Sequence, residues 1–120
     1  MALKLYHNPK CSTARNVLAA LREAGHEPEI IEYLKTPPSA AELQELADQI
    51  GQGALAITRT KEPLFKALGL NAEGTSDAQL IAAIAEHPVL LSRPIVATHD
   101  FAMVVRPSAT VEQLLARLSS

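Results

Sequence analysis

Cys11 is the only cysteine among the 120 residues, and charged groups crowd its part of the chain. His7 and Lys10 precede it, and Arg15 follows four residues later. A helical pattern begins directly after it. Ala14, Val17, Leu18 and Leu21 fall at i, i+3, i+4 and i+7, and Gly25 stops the run. The spacing therefore predicts a thiol at a helix N-terminus, where unpaired N–H groups and partial positive charge favour a thiolate or a bound oxyanion. If these groups and the nearby cations lower the thiol pKa by ~2 units, the thiolate fraction at pH 7 rises from ~3% to ~75%. That change makes a cysteine a nucleophile. A lone cysteine is otherwise commonly a small buried hydrophobe, but the flanks here are polar and cationic.

The elements that must hold this residue follow from periodicity. Ala2 to Tyr6 reads as a strand with Leu3 and Leu5 on one face. The Cys11 loop and a helix to about Ala24 come next, then a Gly25-His26-Glu27-Pro28 turn and a second strand over Glu29 to Leu34. Strand, helix, strand in this order predicts a parallel, right-handed βαβ unit. Pro37-Pro38-Ser39 opens a second helix with a capping-box pattern at Ser39 and Glu42 and a stop at Gly51. The stretch from Gly53 to Thr60 is ambiguous, its one candidate element a short helix ending near Arg59. Pro63 begins a short helix through Leu68, and Ser76 with Gln79 caps another that ends at His87-Pro88. Ile95 to Ala97 and Ala102 to Val105 form a hairpin around Thr98 to Phe101, and a last helix carries Val111, Leu114, Leu115 and Leu118 on one face. The expected organisation is a single α/β domain over residues 1–120. It is a thioredoxin-like fold with a helical insertion, at about residues 37–87, between its βαβ and ββα parts. Pro94, ahead of the third strand, is the candidate for the structural cis proline that such folds place beside the cysteine.

Composition narrows the function. The net charge is −2, no basic block is present, Trp is absent and only 3% of residues are aromatic, so neither phosphate tracking nor base stacking is supported. No apolar run approaches a membrane span, and the N-terminus lacks a signal-peptide pattern. A single cysteine excludes an internal disulfide and a resolving thiol within the chain, and fits a reducing cytoplasm. His26, His87 and His99 have no metal-ligand spacing; no metal and no bound cofactor are expected.

The ordered set His7-Asn8-Pro9-x-Cys11-Ser12-x-x-Arg15, Tyr33-Leu34-x-x-Pro37-Pro38, Arg59-x-x-Glu62, His87-Pro88, Arg93-Pro94-Ile95-Val96 and Arg106-Pro107 resembles the glutaredoxin-dependent arsenate reductases, the ArsC family, in a compact form. The resemblance spans residues 2 to about 118. It implies Cys11 as nucleophile, Arg59, Arg93 and Arg106 as oxyanion-binding residues, His7 as support for the low thiol pKa, and Arg15 as the loop arginine. It also implies glutathione as co-substrate and glutaredoxin as partner. Ala14 stands where the family usually has Ser, which leaves Ser12 and Thr13 as the loop hydroxyls near the oxyanion.

The residue types agree with that chemistry. Arsenate at neutral pH is a tetrahedral dianion, and guanidinium forks match its oxygens. The thiolate attacks arsenic, water leaves, and an external thiol must complete reduction to arsenite, because the chain has no second one. Each arginine could instead be an ordinary surface or salt-bridge residue. Two other functions fit the same fold: a non-enzymatic Spx-type regulator that binds RNA polymerase, and a thiol-redox enzyme with another substrate. The regulator usually carries Cys-x-x-Cys or Cys-x-x-Ser, whereas here Cys11 is followed three residues later by Ala14. The protein is expected to act as a monomer, without nucleic acid or membrane.

Overall fold

The computed structural model describes residues 3–105 and 108–118. Among the described residues five helices and four strands run in the order β1 (Lys4–His7), α1 (Ser12–Glu23), β2 (Glu29–Glu32), α2 (Ala40–Ile50), α3 (Pro63–Ala67), α4 (Asp77–Glu86), β3 (Ile95–Ala97), β4 (Ala102–Val104) and α5 (Ser108–Leu118). Short 3₁₀ turns at Ala54–Ile57 and Pro88–Leu90 flank α3 and α4. The chain divides into two compact units, one made of Met1–Tyr33 with Arg93–Ser120, the other of Leu34–Ser92.

The first unit holds the whole sheet, in strand order β2-β1-β3-β4. β1 and β2 are parallel, with Leu5 opposite Ile30 and His7 opposite Glu32. This is the expected βαβ crossover through α1. β3 then pairs antiparallel with β1 and with β4, which closes the ββα half. Leu3, just ahead of β1, and Leu5 within it meet Val17 and Leu21 of α1, Val96 of β3, and Leu114 and Leu118 of α5 in one buried cluster. The period of two along the strand and of 3.6 along the helices put these residues on facing surfaces. The combination is a thioredoxin-like α/β fold, and the helices of the second unit lie between its two halves in sequence.

Several boundaries depart from expectation, and α3 and β4 each end one residue early, at Ala67 and Val104. β1 runs to His7, one residue further than Tyr6; Ala2, at its expected start, lies outside the described residues. β2 stops at Glu32 rather than Leu34, because His7 is the last residue of β1 able to pair with it. The chain turns away at Asn8-Pro9, and Pro9 offers no N–H to a ladder. Leu34, left without a strand partner, is 48% exposed. The ambiguous stretch after Gly53 is a 3₁₀ turn, followed by an isolated antiparallel bridge between Thr58 and Leu91.

In the second unit α2 packs on α4. Ser39 accepts from the Glu42 N–H at 3.1 Å, and Ser76 and Gln79 form both halves of a capping box. Gly51 closes α2 with a left-handed φ of 78°, a conformation that disfavours any residue with a Cβ. No helix among the described residues is long and apolar enough to cross a membrane.

Candidate active site

Local hydrogen bonds fix the loop before α1. Asn8 is 9% exposed; its carbonyl accepts from the Cys11 N–H at 2.9 Å and its side-chain oxygen accepts from the Lys10 N–H at 3.0 Å. Pro9 supplies a fixed φ inside this turn. Arg15, one turn into α1, donates from Nη1 to the Pro9 carbonyl at 2.8 Å. That bond ties the helix back onto the loop. Cys11 emerges as the N-cap of α1 with extended backbone angles, partly exposed rather than sealed in the core.

Several forces act on its sulfur. Burial pushes the thiol up, but the backbone N–H of Ala14, the Arg93 guanidinium and the backbone N–H of Thr13 all stabilise the thiolate, and the net direction is down. The two N–H groups approach the sulfur without the geometry of a formal side-chain cap. Position 14 thus contributes through its backbone. Ala14 is fully buried, and the amide it presents is one that every residue but proline can offer. Ser12 is exposed and Thr13 half-buried in the first turn of the helix.

Arg93 stands just ahead of β3, and the Arg93–Pro94 bond is cis, as the sequence suggested. Its guanidinium hydrogen-bonds the Cys11 sulfur and also interacts with the Tyr33 hydroxyl. The structure therefore brings Cys11, Thr13, Ala14, Arg93 and Tyr33 together. Tyr33 is a contact that sequence reading missed as a functional one. Its position in the Tyr33-Leu34-x-x-Pro37-Pro38 motif was the available signal.

His7 is 6% exposed, and its Nδ1 is buried with no hydrogen-bond partner. Burial pushes its pKa below the usual histidine range; the Glu32 carboxylate opposes this, while Arg15 and Arg22 add to it. At neutral pH His7 is an uncharged imidazole under the loop, and the charge on the sulfur's surroundings comes from Arg93.

Arg59 belongs to the second unit. Its N–H donates to the Leu90 carbonyl at 2.7 Å, and its guanidinium pairs with Glu62 at 3.1 Å, both side chains about one quarter exposed (26% and 23%). Arg106 lies outside the described residues. Among the described residues no group of three or more His, Cys, Asp or Glu side chains gathers as a metal site.

Known proteins resemble this chain over nearly its whole length. The model of the ArsC family matches residues 6–114. An arsenate reductase of Rhizobium meliloti (strain 1021) is 43% identical over 115 residues, which is 96% of this chain and 82% of that protein. One from Neisseria meningitidis (strain MC58) is 40% identical over 94% of this chain and 97% of its own length. The solved structure of an arsenate reductase from Vibrio cholerae superposes with a TM-score of 0.86 at 44% identity, covering 97% of each chain.

Proposed function

The chain belongs to the ArsC family, and from that membership we propose that it is an arsenate reductase with Cys11 as its nucleophile. The observation that carries the reading is the Arg93 guanidinium on the sulfur of a half-buried N-cap cysteine whose pKa is held down. A thiolate there attacks the arsenic of a bound arsenate, and a protonated oxygen leaves as water, forming an arsenic–sulfur ester on Cys11. In this reading Arg93, beside that sulfur, acts on negative charge at the reacting atom. A charge-assisted hydrogen bond of this type contributes about 1.5–3 kcal/mol, and more of it counts toward rate where charge builds up during the step. Arg59 and Arg106 complete the oxyanion-binding set, with Ser12 and Thr13 at the helix mouth. For Arg59 this requires that its Glu62 partner yield to, or share it with, the dianion.

His7 acts as a neutral dipole beneath the loop, and Arg15 keeps the loop in shape through Pro9. Reduction of arsenic(V) to arsenic(III) takes two electrons, which oxidise two thiols to one disulfide. Cys11 is the chain's only thiol, so the adduct is resolved by external ones: glutathione as co-substrate and glutaredoxin as its partner. The monomer, acting in the cytoplasm, needs no bound cofactor.

The test is a coupled assay in which arsenate, glutathione, glutaredoxin, glutathione reductase and NADPH are supplied and NADPH loss is followed. Turnover is expected in the wild type. It disappears in Cys11→Ser and falls at least about tenfold in Arg93→Ala, equivalent to ~1.4 kcal/mol of lost transition-state stabilisation. Activity that survives Cys11→Ser overturns the reading. An inactive wild type that binds RNA polymerase tightly would instead mark a regulator of the Spx type, and thiol turnover without arsenate dependence would mark a different substrate.

A further inference from the structure

Arg59 enters the proposed oxyanion set already bonded to an anion of the chain's own. Its Nη1 donates to Glu62 Oε2 at 3.1 Å, and both side chains are partly buried. The backbone presets this spacing. The Glu62 N–H donates to the Arg59 carbonyl at 3.1 Å, closing a turn through Thr60 and Lys61, and the Arg59 N–H is itself fixed on the Leu90 carbonyl at 2.7 Å. The adjoining Thr58 pairs with Leu91. All of these contacts lie within the second unit, Leu34–Ser92. Glu62 is also the N-cap of α3, with Pro63 as the first helical residue, yet its side chain makes no capping bond. The carboxylate is used on Arg59 rather than on its own helix.

A carboxylate and a tetrahedral oxyanion ask the same of a guanidinium: N–H donors in a planar fork and positive charge. An incoming anion must displace the Glu62 carboxylate or lie beside it, and in either case it meets negative charge that opposes it. The opposition is modest. A partly exposed ion pair is weak and is screened by solvent, so an arriving dianion can overcome it.

We propose that Glu62 sets the oxyanion affinity of the site: its carboxylate is an internal competitor for the Arg59 guanidinium, keeping it ordered and partly neutralised until a multiply charged oxyanion displaces it. This deepens the arsenate-reductase reading above and rests on its assignment of Arg59. Glu62 does not touch the reacting atoms; it acts through Arg59.

The experiment measures how sulfate, a tetrahedral dianion that takes no part in the thiol chemistry, protects Cys11 from iodoacetamide at fixed pH and constant ionic strength. The full chain is compared as wild type, Glu62→Gln, Glu62→Asp, Arg59→Ala and the Arg59→Ala, Glu62→Gln double variant, with fold checked by circular dichroism. Glu62→Gln keeps the side-chain length and an acceptor oxygen for Arg59 and removes only the charge. Half-protection is expected at about threefold lower sulfate than in the wild type, the scale of a partly exposed ion pair. In the coupled assay the arsenate KM falls by a similar factor. Glu62→Asp, which restores the charge, stays closer to the wild type than Glu62→Gln does. In the Arg59→Ala background Glu62→Gln brings no comparable gain, since the group competed for is gone. A packing role would act alike in both backgrounds and would not follow the charge at position 62. The proposal is overturned by a Glu62→Gln protein that binds sulfate no more tightly than the wild type, or by a gain that survives intact without Arg59. An Arg59→Ala protein protected as well as the wild type removes Arg59 from the oxyanion set, and this inference with it. Weaker protection in Arg59→Ala with no gain in Glu62→Gln removes only the inference. A wild type that sulfate does not protect lacks the oxyanion site at Cys11, and both readings fall.

Discussion

The sulfur of Cys11 is pulled both ways, and the balance decides its chemistry. Burial favours the thiol; two amide dipoles and one guanidinium favour the thiolate and prevail. Iodoacetamide modification should therefore report an apparent pKa below the ~8.5 of an unperturbed cysteine, and Arg93→Ala should move it upward. A profile centred near 8.5 in the wild type contradicts the activated site. His7 has a separate signature. Burial lowers its folded-state pKa, so as pH falls below the unfolded value of about 6.5 the unfolded chain takes up a proton that the folded chain resists. Stability from this source is complete above pH 6.5 and is lost as pH falls through the interval beneath it. Thermal melts between pH 5 and 7.5 should show the wild type losing more stability toward acid than His7→Gln does. Parallel curves for the two proteins would contradict the buried neutral imidazole.

Among the elements, α1 does most for function, since its N-terminus supplies amides to the sulfur while Val17 and Leu21 anchor it in the core. Truncating Leu21, which is 0% exposed, to Ala should cost about 2–5 kcal/mol by removing buried methyl groups and leaving a cavity, measurable by urea denaturation. The caps are a milder case. In α4 the Ser76 hydroxyl accepts from Gln79 N–H at 3.2 Å and the Gln79 side chain answers on the Ser76 N–H at 2.8 Å. Ser76→Ala should cost about 1 kcal/mol and leave the Cys11 alkylation profile unchanged. The hairpin between β3 and β4 has its own fastener, a Thr98 hydroxyl that accepts from the Asp100 and Phe101 N–H groups at 3.1 Å each. Within the bend His99 and Asp100 lie 3.3 Å apart. Both side chains are exposed, though, and the Thr98 hydroxyl just before them organises the backbone.

For the molecule as a whole, one cysteine in the chain dictates dependence on other molecules. Two thiols are oxidised for each arsenite formed, and a single chain holds one. Incubation with arsenate alone should release no arsenite, and added glutathione should be required for any release. Arsenite appearing stoichiometrically without an added thiol would mean that two chains, or a different reductant, complete the step.

Local pattern was enough for much of this fold. The βαβ order, the capped helices at Ser39 and Ser76 and the hairpin before the last helix are set by periodicity and by residues that act within a few positions of themselves. The N-terminal placement of Cys11 follows in the same way, because Asn8, Pro9 and the α1 pattern all sit beside it. Where β2 ends was not legible, since that depends on where its neighbour β1 runs out. The charge of His7 was not legible either; flanking residues suggested a cation, and burial under the loop makes it neutral. Above all, the approach of Arg93 to Cys11 joins two distant parts of the chain. Nothing local encodes which arginine meets the sulfur. Long-range contacts are decided by how strands and loops meet in space, and only the tertiary structure contains that.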